Sequence, residues 1–99
     1  MKLRNLGHSG LKVSAVGVGC NNLGGRLDRA GTMKLVPAAI DLGITLFDTA
    51  DSYPVGKPGV SETLLGEALG DRRKDVVIAT KFANVMGPGD MMRGGSRRW

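Results

Sequence analysis

Three short apolar runs, at residues 15–20, 44–50 and 76–82, are separated by stretches of helical period, and that alternation constrains the fold more than any other feature of the chain. Ala15-Val16-Gly17-Val18-Gly19-Cys20 reads as a fully buried strand that runs into the loop Asn21-Asn22-Leu23-Gly24-Gly25. Ile44-Thr45-Leu46-Phe47-Asp48-Thr49-Ala50 reads as a second buried strand. Val76-Val77-Ile78-Ala79-Thr80-Lys81-Phe82, with β-branched residues in front, reads as a third. Between the first two, Met33, Val36, Ala39, Ile40 and Leu42 recur at three- and four-residue spacing and Gly43 follows as a stop, which predicts a helix over 28–42. Pro37 removes one backbone hydrogen bond there, so the helix is expected to kink or to begin its regular part at that residue. Between the second and third, residues 51–59 form a loop with two prolines and two glycines. A second helix follows, with Ser61 as its expected N-cap, Glu62 at the positive end of its dipole and Val60 stapled onto Leu65. Leu64, Leu65, Ala68 and Leu69 supply its buried stripe, and Gly70 ends it.

Strand, helix, strand, helix, strand is the order of an α/β fold with a parallel sheet and right-handed crossovers. Ahead of it, Leu3-Arg4-Asn5-Leu6 and Leu11-Lys12-Val13-Ser14 flank the turn formers Gly7-His8-Ser9-Gly10, which predicts a hairpin over residues 1–14 with His8 solvated at its tip. Residues 83–99 are glycine-rich and carry no period. A parallel sheet needs cover on both faces, and three strands with two helices supply too little of it. The sheet is therefore expected to close with more of the same chain or with a partner.

Composition narrows the class. With 99 residues there is room for one small domain. Hydrophobic residues at 41% and charged ones at 23% match a globular chain rather than a disordered or membrane one. No apolar run has the length of a spanning helix and none follows Met1 as a signal peptide would, so a cytoplasmic location is expected. Cys20, the single cysteine, can form neither an internal disulfide nor a metal cluster alone, so no metal is expected.

The net charge of +5 is uneven, since residues 71–99 hold seven Lys or Arg against three Asp, a net of +4. A basic, single-stranded nucleic-acid-binding module built on Arg72-Arg73-Lys74, Arg93, Arg97, Arg98 and Trp99 is one reading of that excess. A solvated turn at residues 72–74 explains it more simply, and no nucleic-acid partner is expected. Gly17-Val18-Gly19-Cys20-Asn21-Asn22 offers another reading, a Rossmann-type nucleotide-binding fragment. Asn22 stands where the third glycine of that fingerprint belongs, and the helix starts too late to receive a pyrophosphate.

Ligands of parallel β/α folds bind at the carboxyl ends of the strands, and here those ends are polar. Alternation along a strand puts Leu46 and Asp48 on one face, and Val77, Ala79 and Lys81 on one face of the strand beside it. Asp48 and Lys81 would form an ion pair at adjacent buried strand ends, and Tyr53, five residues beyond Asp48, could fold its hydroxyl over them. Such a triad has a chemical use: a nearby ammonium stabilises tyrosinate, so that a phenol of ordinary pKa near 10 serves as a general acid, while the aspartate holds the lysine. A proton donor of that kind suits carbonyl reduction.

Phe47-Asp48-Thr49-Ala50-Asp51-Ser52-Tyr53, Ser61-Glu62-Thr63-Leu64-Leu65-Gly66-Glu67-Ala68-Leu69 and Val77-Ile78-Ala79-Thr80-Lys81-Phe82 closely resemble successive motifs of the aldo-keto reductase family. The hairpin, the Gly17-Val18-Gly19 strand and the closing Gly95-Ser96-Arg97-Arg98-Trp99 resemble it too, so the likeness covers nearly the whole chain. The resemblance implies a (β/α)8 TIM barrel with its floor capped by the hairpin, which reduces an aldehyde or ketone, the small-molecule partner, with NADPH; NADH stays open. By motif match Tyr53 is the proton donor, Lys81 the residue that lowers its pKa and Asp48 the partner of that lysine. Gly19, Cys20 and Asn21 match the loop beside the nicotinamide end of the cofactor, which Asp48 also reaches. Residues 1–14 are then the hairpin and 15–99 a partial, NADP-dependent reductase domain, the first three β/α units of a barrel that takes about 250 residues. The family's active-site histidine has no counterpart in it, and the chain alone is expected to be inactive. Two departures stand out: Pro54-Val55-Gly56-Lys57-Pro58-Gly59 replaces a shorter glycine-rich loop, and Pro37 falls in a helix that normally has no proline.

Overall fold

A computed structural model of the chain describes residues 1–98; Trp99, part of the closing motif and of the basic cluster, lies outside the described residues. Strands β1 (Leu3–Asn5) and β2 (Lys12–Ser14) pair antiparallel as a hairpin. Strands β3 (Gly17–Gly19), β4 (Leu46–Asp48) and β5 (Val77–Ala79) form a parallel sheet in that order, with Gly19 beside Asp48 and Asp48 beside Ala79. Helix α1 (Arg29–Asp41) connects β3 to β4, and α2 (Val60–Leu69) connects β4 to β5 through a 3-10 turn at Gly70–Asp75. The architecture is α/β with an open sheet.

Alternation along β4 sorts the two faces of the sheet. Phe47 points to the helices and is fully buried among Cys20, Leu23, Val36, Ala39, Leu65, Leu69 and Val76. Leu46 and Asp48 point the other way, to the face no helix covers. Strand β3 is consequently not the fully buried strand expected of its apolar run: Gly17 and Gly19 are exposed and Val18 is only half-buried. Burial belongs to what covers a strand, and only the helix side has cover here.

The hairpin is tied to the amino end of the sheet. The Ser14 and Thr45 side chains each accept the other's backbone N–H at 2.9 Å, and Ala15 donates to the Lys2 carbonyl at 2.8 Å. That leaves the carboxyl ends of the strands open at the opposite side.

Helix α1 starts one residue after its cap: the Asp28 carboxylate accepts the Gly31 N–H at 2.8 Å. The first turn is thus capped by the chain's own anion, eight residues beyond Cys20, which is not the arrangement of a pyrophosphate-binding turn. Pro37 sits inside α1, and the helix runs through it to Asp41. Helix α2 differs from expectation at its start. Gly59, in the left-handed region at φ +84°, is the N-cap, and Ser61 lies inside the first turn with its side chain buried. The stripe of Leu64, Leu65 and Leu69 is buried as its spacing predicts. Within residues 83–98, Asp90–Met92 forms a 3-10 turn and Ala83 bridges to Gly94. Two of the basic residues are paired within the chain, Arg72 with Asp41 at 2.7 Å and Arg93 with Asp90.

Candidate functional site

At the carboxyl end of the sheet, Lys81 lies two residues past β5 on the same face as Asp48, and its side chain reaches across to it. The ammonium donates to Asp48 Oδ1 at 2.8 Å and Oδ2 at 2.9 Å, and to the Thr49 carbonyl at 2.8 Å. The pair is not buried as the sequence led one to expect. About half of each side chain is exposed, 47% for Lys81 and 49% for Asp48, because the open face of the sheet has no layer over it. Asp48, first by its hydrogen bonds and then by its charge, holds the Lys81 ammonium above the ordinary 10.5, and Tyr53 adds a smaller push in the same direction. The Lys81 nitrogen sits 5.0 Å from the centre of the Tyr53 ring, within cation–π range.

Backbone hydrogen bonds set these three residues relative to one another. The Asp51 N–H donates to the Lys81 carbonyl at 3.1 Å, and the Asp51 carbonyl accepts from Gly59 N–H at 2.7 Å, which closes the loop carrying Tyr53. Tyr53 itself donates its N–H to Ala50 and accepts from the Ser61 N–H, both at 3.1 Å. The Asn84 amide adds a bond to Asp51 Oδ1 at 3.0 Å.

The loop after β3 is divided. Gly19 and Asn21 are exposed at the sheet end, whereas the Cys20 side chain turns into the core at 0% exposure. Its N–H donates to the Asp48 carbonyl at 2.8 Å. Burial first, with the Asp48 charge in support, pushes the Cys20 thiol up from 9.0 to about 11. The thiol therefore stays protonated and faces away from the site. An open cleft of about 480 Å³ lies beside Tyr53, between Asn21, Asn22, Gly25 and Arg26 on one wall and Tyr53, Pro54 and Val55 on the other.

Two buried hydroxyls support this arrangement, and neither stands out by residue pattern. Ser61 Oγ donates to the Cys20 carbonyl at 2.7 Å, so the Thr49 hydroxyl, 2.9 Å from Ser61 Oγ, is the donor of that second bond. The only sequence signal was a serine at a helix start, which reads equally well as a cap. Arg26 gave no signal beyond its place in the loop after the first strand. No group of three or more metal-ligating side chains occurs among the described residues, and no described helix is long and apolar enough to cross a membrane.

Comparison with known proteins gives the family. The Aldo/keto reductase family model matches residues 15–99. An uncharacterized oxidoreductase of Bacillus subtilis, YqkF, is 42% identical over 84 residues, which is 85% of this chain and 26% of that protein. A probable voltage-gated potassium channel subunit beta of Oryza sativa is 39% identical over 95 residues, 91% of this chain and 28% of that one. Among solved structures, the holo form of aldo-keto reductase AKR11C1 from Bacillus halodurans superposes with a TM-score of 0.77 at 39% identity, over 94% of this chain and 30% of that chain. The chain thus spans less than a third of the length of each. With a family model matched across nearly its whole length and relatives near 40% identity sharing its backbone course, the chain belongs to the aldo/keto reductase family.

Proposed function

We propose that this chain carries the proton-donating part of a carbonyl-reducing site, in an oxidoreductase that acts on an aldehyde or ketone with NADPH or NADH. The observation that carries the reading is the Lys81 ammonium, held by both Asp48 oxygens at 2.8 and 2.9 Å and set 5.0 Å from the Tyr53 ring. Tyr53 delivers its hydroxyl proton to the oxygen of the reacting carbonyl. The Lys81 charge stabilises the tyrosinate left behind, and Asp48 keeps the lysine charged and in place. A fixed ammonium beside the phenol needs no reorganisation when the proton leaves.

The donor set suits the uncharged end of a nicotinamide cofactor. Gly19 is exposed and presents backbone without a side chain, the Asn21 amide can donate and accept, and Asp48 supplies a carboxylate at the same strand ends. Bound there, the cofactor supplies the hydride. Gly19, Asn21 and Asp48 would hold it, and Cys20 positions them through its backbone, since its thiol is in the core.

The remaining wall of the site, and of an eight-unit barrel, would come from residues outside this segment, so we assign activity to the completed barrel and none to residues 1–99 alone. The test joins the chain to the remaining portion of a full-length relative. In that completed barrel Tyr53→Phe abolishes carbonyl reduction and leaves NADPH binding intact, as measured by cofactor fluorescence. Retained turnover in Tyr53→Phe would remove the proton-donor role.

A further inference from the structure

The loop from Asn22 to Leu27 is built more firmly than its glycines suggest. The Asn22 carbonyl accepts from both Gly25 and Leu27 at 3.0 Å, and Gly24 donates to the Leu27 carbonyl at 2.8 Å. Leu23 anchors the loop in the core at 1% exposure. Gly25 packs directly on Pro54, so closely that a Cβ at that position would meet the proline ring at 3.2 Å. A residue at position 26 is therefore presented from a rigid wall to the cleft that also holds Tyr53.

That residue is an arginine without a carboxylate. Asp28 is occupied by the α1 cap, Asp48 by Lys81 and Asp51 by Asn84, and Arg26 makes no ion pair or hydrogen bond among the described residues. A second cation is held on the same loop, where the Lys57 ammonium donates to the Gly24 carbonyl at 3.3 Å. Opposite lie Tyr53, Pro54 and Val55, the last of them 97% exposed. One wall of the cleft thus carries a cation, and the other offers the exposed Val55 side chain next to the phenol, Pro54 beneath it being buried.

We propose that Arg26 selects the substrate: the cleft takes a carbonyl compound with an apolar body and a carboxylate or phosphate at its far end, the body resting on Val55 and the oxyanion on Arg26. A planar guanidinium binds either oxyanion through paired N–H groups, so carboxylate and phosphate share this recognition. The proposal rests on the reading of Tyr53 as proton donor, which puts the carbonyl at the phenol end of the same cleft.

The test compares 4-formylbenzoate with its methyl ester in the completed barrel. The parent protein prefers the acid, and Arg26→Gln lowers the ratio of kcat/KM for acid over ester about tenfold, through KM for the aldehyde and not KM for NADPH. Arg26→Lys restores part of the preference. The same comparison with 4-formylphenyl phosphate tells whether phosphate or carboxylate is the better occupant. An unchanged acid-to-ester ratio overturns the proposal, and so does a rise in KM for NADPH on both substrates, which would make Arg26 a contact of the cofactor. Should the parent reduce neither aldehyde, the proton-donor reading fails instead. A shift of the Arg26 Nε resonance on adding terephthalate, together with loss of terephthalate affinity in Arg26→Gln by calorimetry, then decides the anion site separately.

Discussion

Ser61 Oγ donates a 2.7 Å hydrogen bond to the carbonyl of Cys20, which joins the first turn of α2 to the end of β3 across 41 positions of sequence. Both residues are fully buried, and the Thr49 hydroxyl feeds into the same bond from the end of β4. The ends of β3 and β4 are thereby linked to each other through the first turn of α2.

Replacing Ser61 by Ala strands the Thr49 hydroxyl in the core and leaves the Cys20 carbonyl with only the Leu23 N–H at 3.2 Å. The expected cost is about 1 to 3 kcal/mol, the usual penalty for a buried polar group that loses its partner. Thr63→Ala, which removes an exposed hydroxyl from the same helix, should cost far less. Urea midpoints of the completed barrel measure both, and equal midpoints would show that the buried bond adds nothing.

How much of this was legible beforehand follows from whether the signal is local. The Asp48–Lys81 pair could be read from alternation, which fixes the face within each strand, together with the β/α order that makes the two strands neighbours. The leucine stripe of α2 was legible from its own local period, the three- and four-residue spacing of a helix. Ser61 reads as a cap because capping rules weigh nearby N–H groups, whereas its partner is the carbonyl just past the end of β3. The exposure of β3 and of the ion pair was hidden too, since a sequence period says which side a residue faces and not what lies over that side. Arg26 owes its place to the packing of Gly25 on Pro54, a contact between distant loops that no pattern encodes.

The Asp48–Lys81 contact should be visible in the lysine's titration. Lys81 stands above 10.5 mainly because Asp48 accepts from it, so Asp48→Asn lowers its pKa toward that value. In the parent the raised pKa favours the fold below about pH 10.5, and that contribution fades as alkali titrates the ammonium. Carbon-13 shifts of the Lys81 side chain against pH give the midpoint in each protein. Identical midpoints would mean that the pair is not formed in solution.

Cys20 makes a second alkaline prediction. Its folded value of about 11 exceeds the unfolded 9.0, so the neutral thiol stabilises the fold below pH 9 and this contribution is lost between pH 9 and 11. Thiolate absorbance near 240 nm should remain flat through pH 9 in the native protein and rise there in urea. Iodoacetamide should label the unfolded chain quickly and the native one slowly. Rapid native labelling at pH 8 would place the thiol at the surface, contrary to its full burial.

Expressed alone, the 99-residue polypeptide presents one uncovered face of a parallel sheet, and Phe82, Val85 and Leu42 are exposed as well. We expect it to bind a hydrophobic dye, to associate with rising concentration and to unfold over a broad range of temperature. Joined to the remaining portion of a relative, the same residues should melt cooperatively and release the dye. A sharp melt of the monomeric polypeptide would contradict this expectation.

Two glycines of similar backbone separate conformational strain from crowding. Gly24 at φ +82° and Gly59 at φ +84° both occupy the left-handed region, where an alanine costs about 1 to 2 kcal/mol. Around Gly59 a Cβ would meet nothing within 4 Å, whereas at Gly24 it would fall 2.3 Å from Val60 Cγ1. Valine is stiff at χ1 and its backbone starts α2, so it has little room to yield. Gly24→Ala should therefore cost about 1 to 3 kcal/mol more than Gly59→Ala, the usual range for overpacking. Because Gly24 belongs to the wall that presents Arg26, Gly24→Ala should also weaken the preference for 4-formylbenzoate over its methyl ester, and Gly59→Ala should weaken it less. Thermal midpoints and the acid-to-ester ratio, measured on the same two proteins, check both halves; equal stability losses would mean that the Asn22–Leu27 loop yields where its hydrogen bonds say it should not.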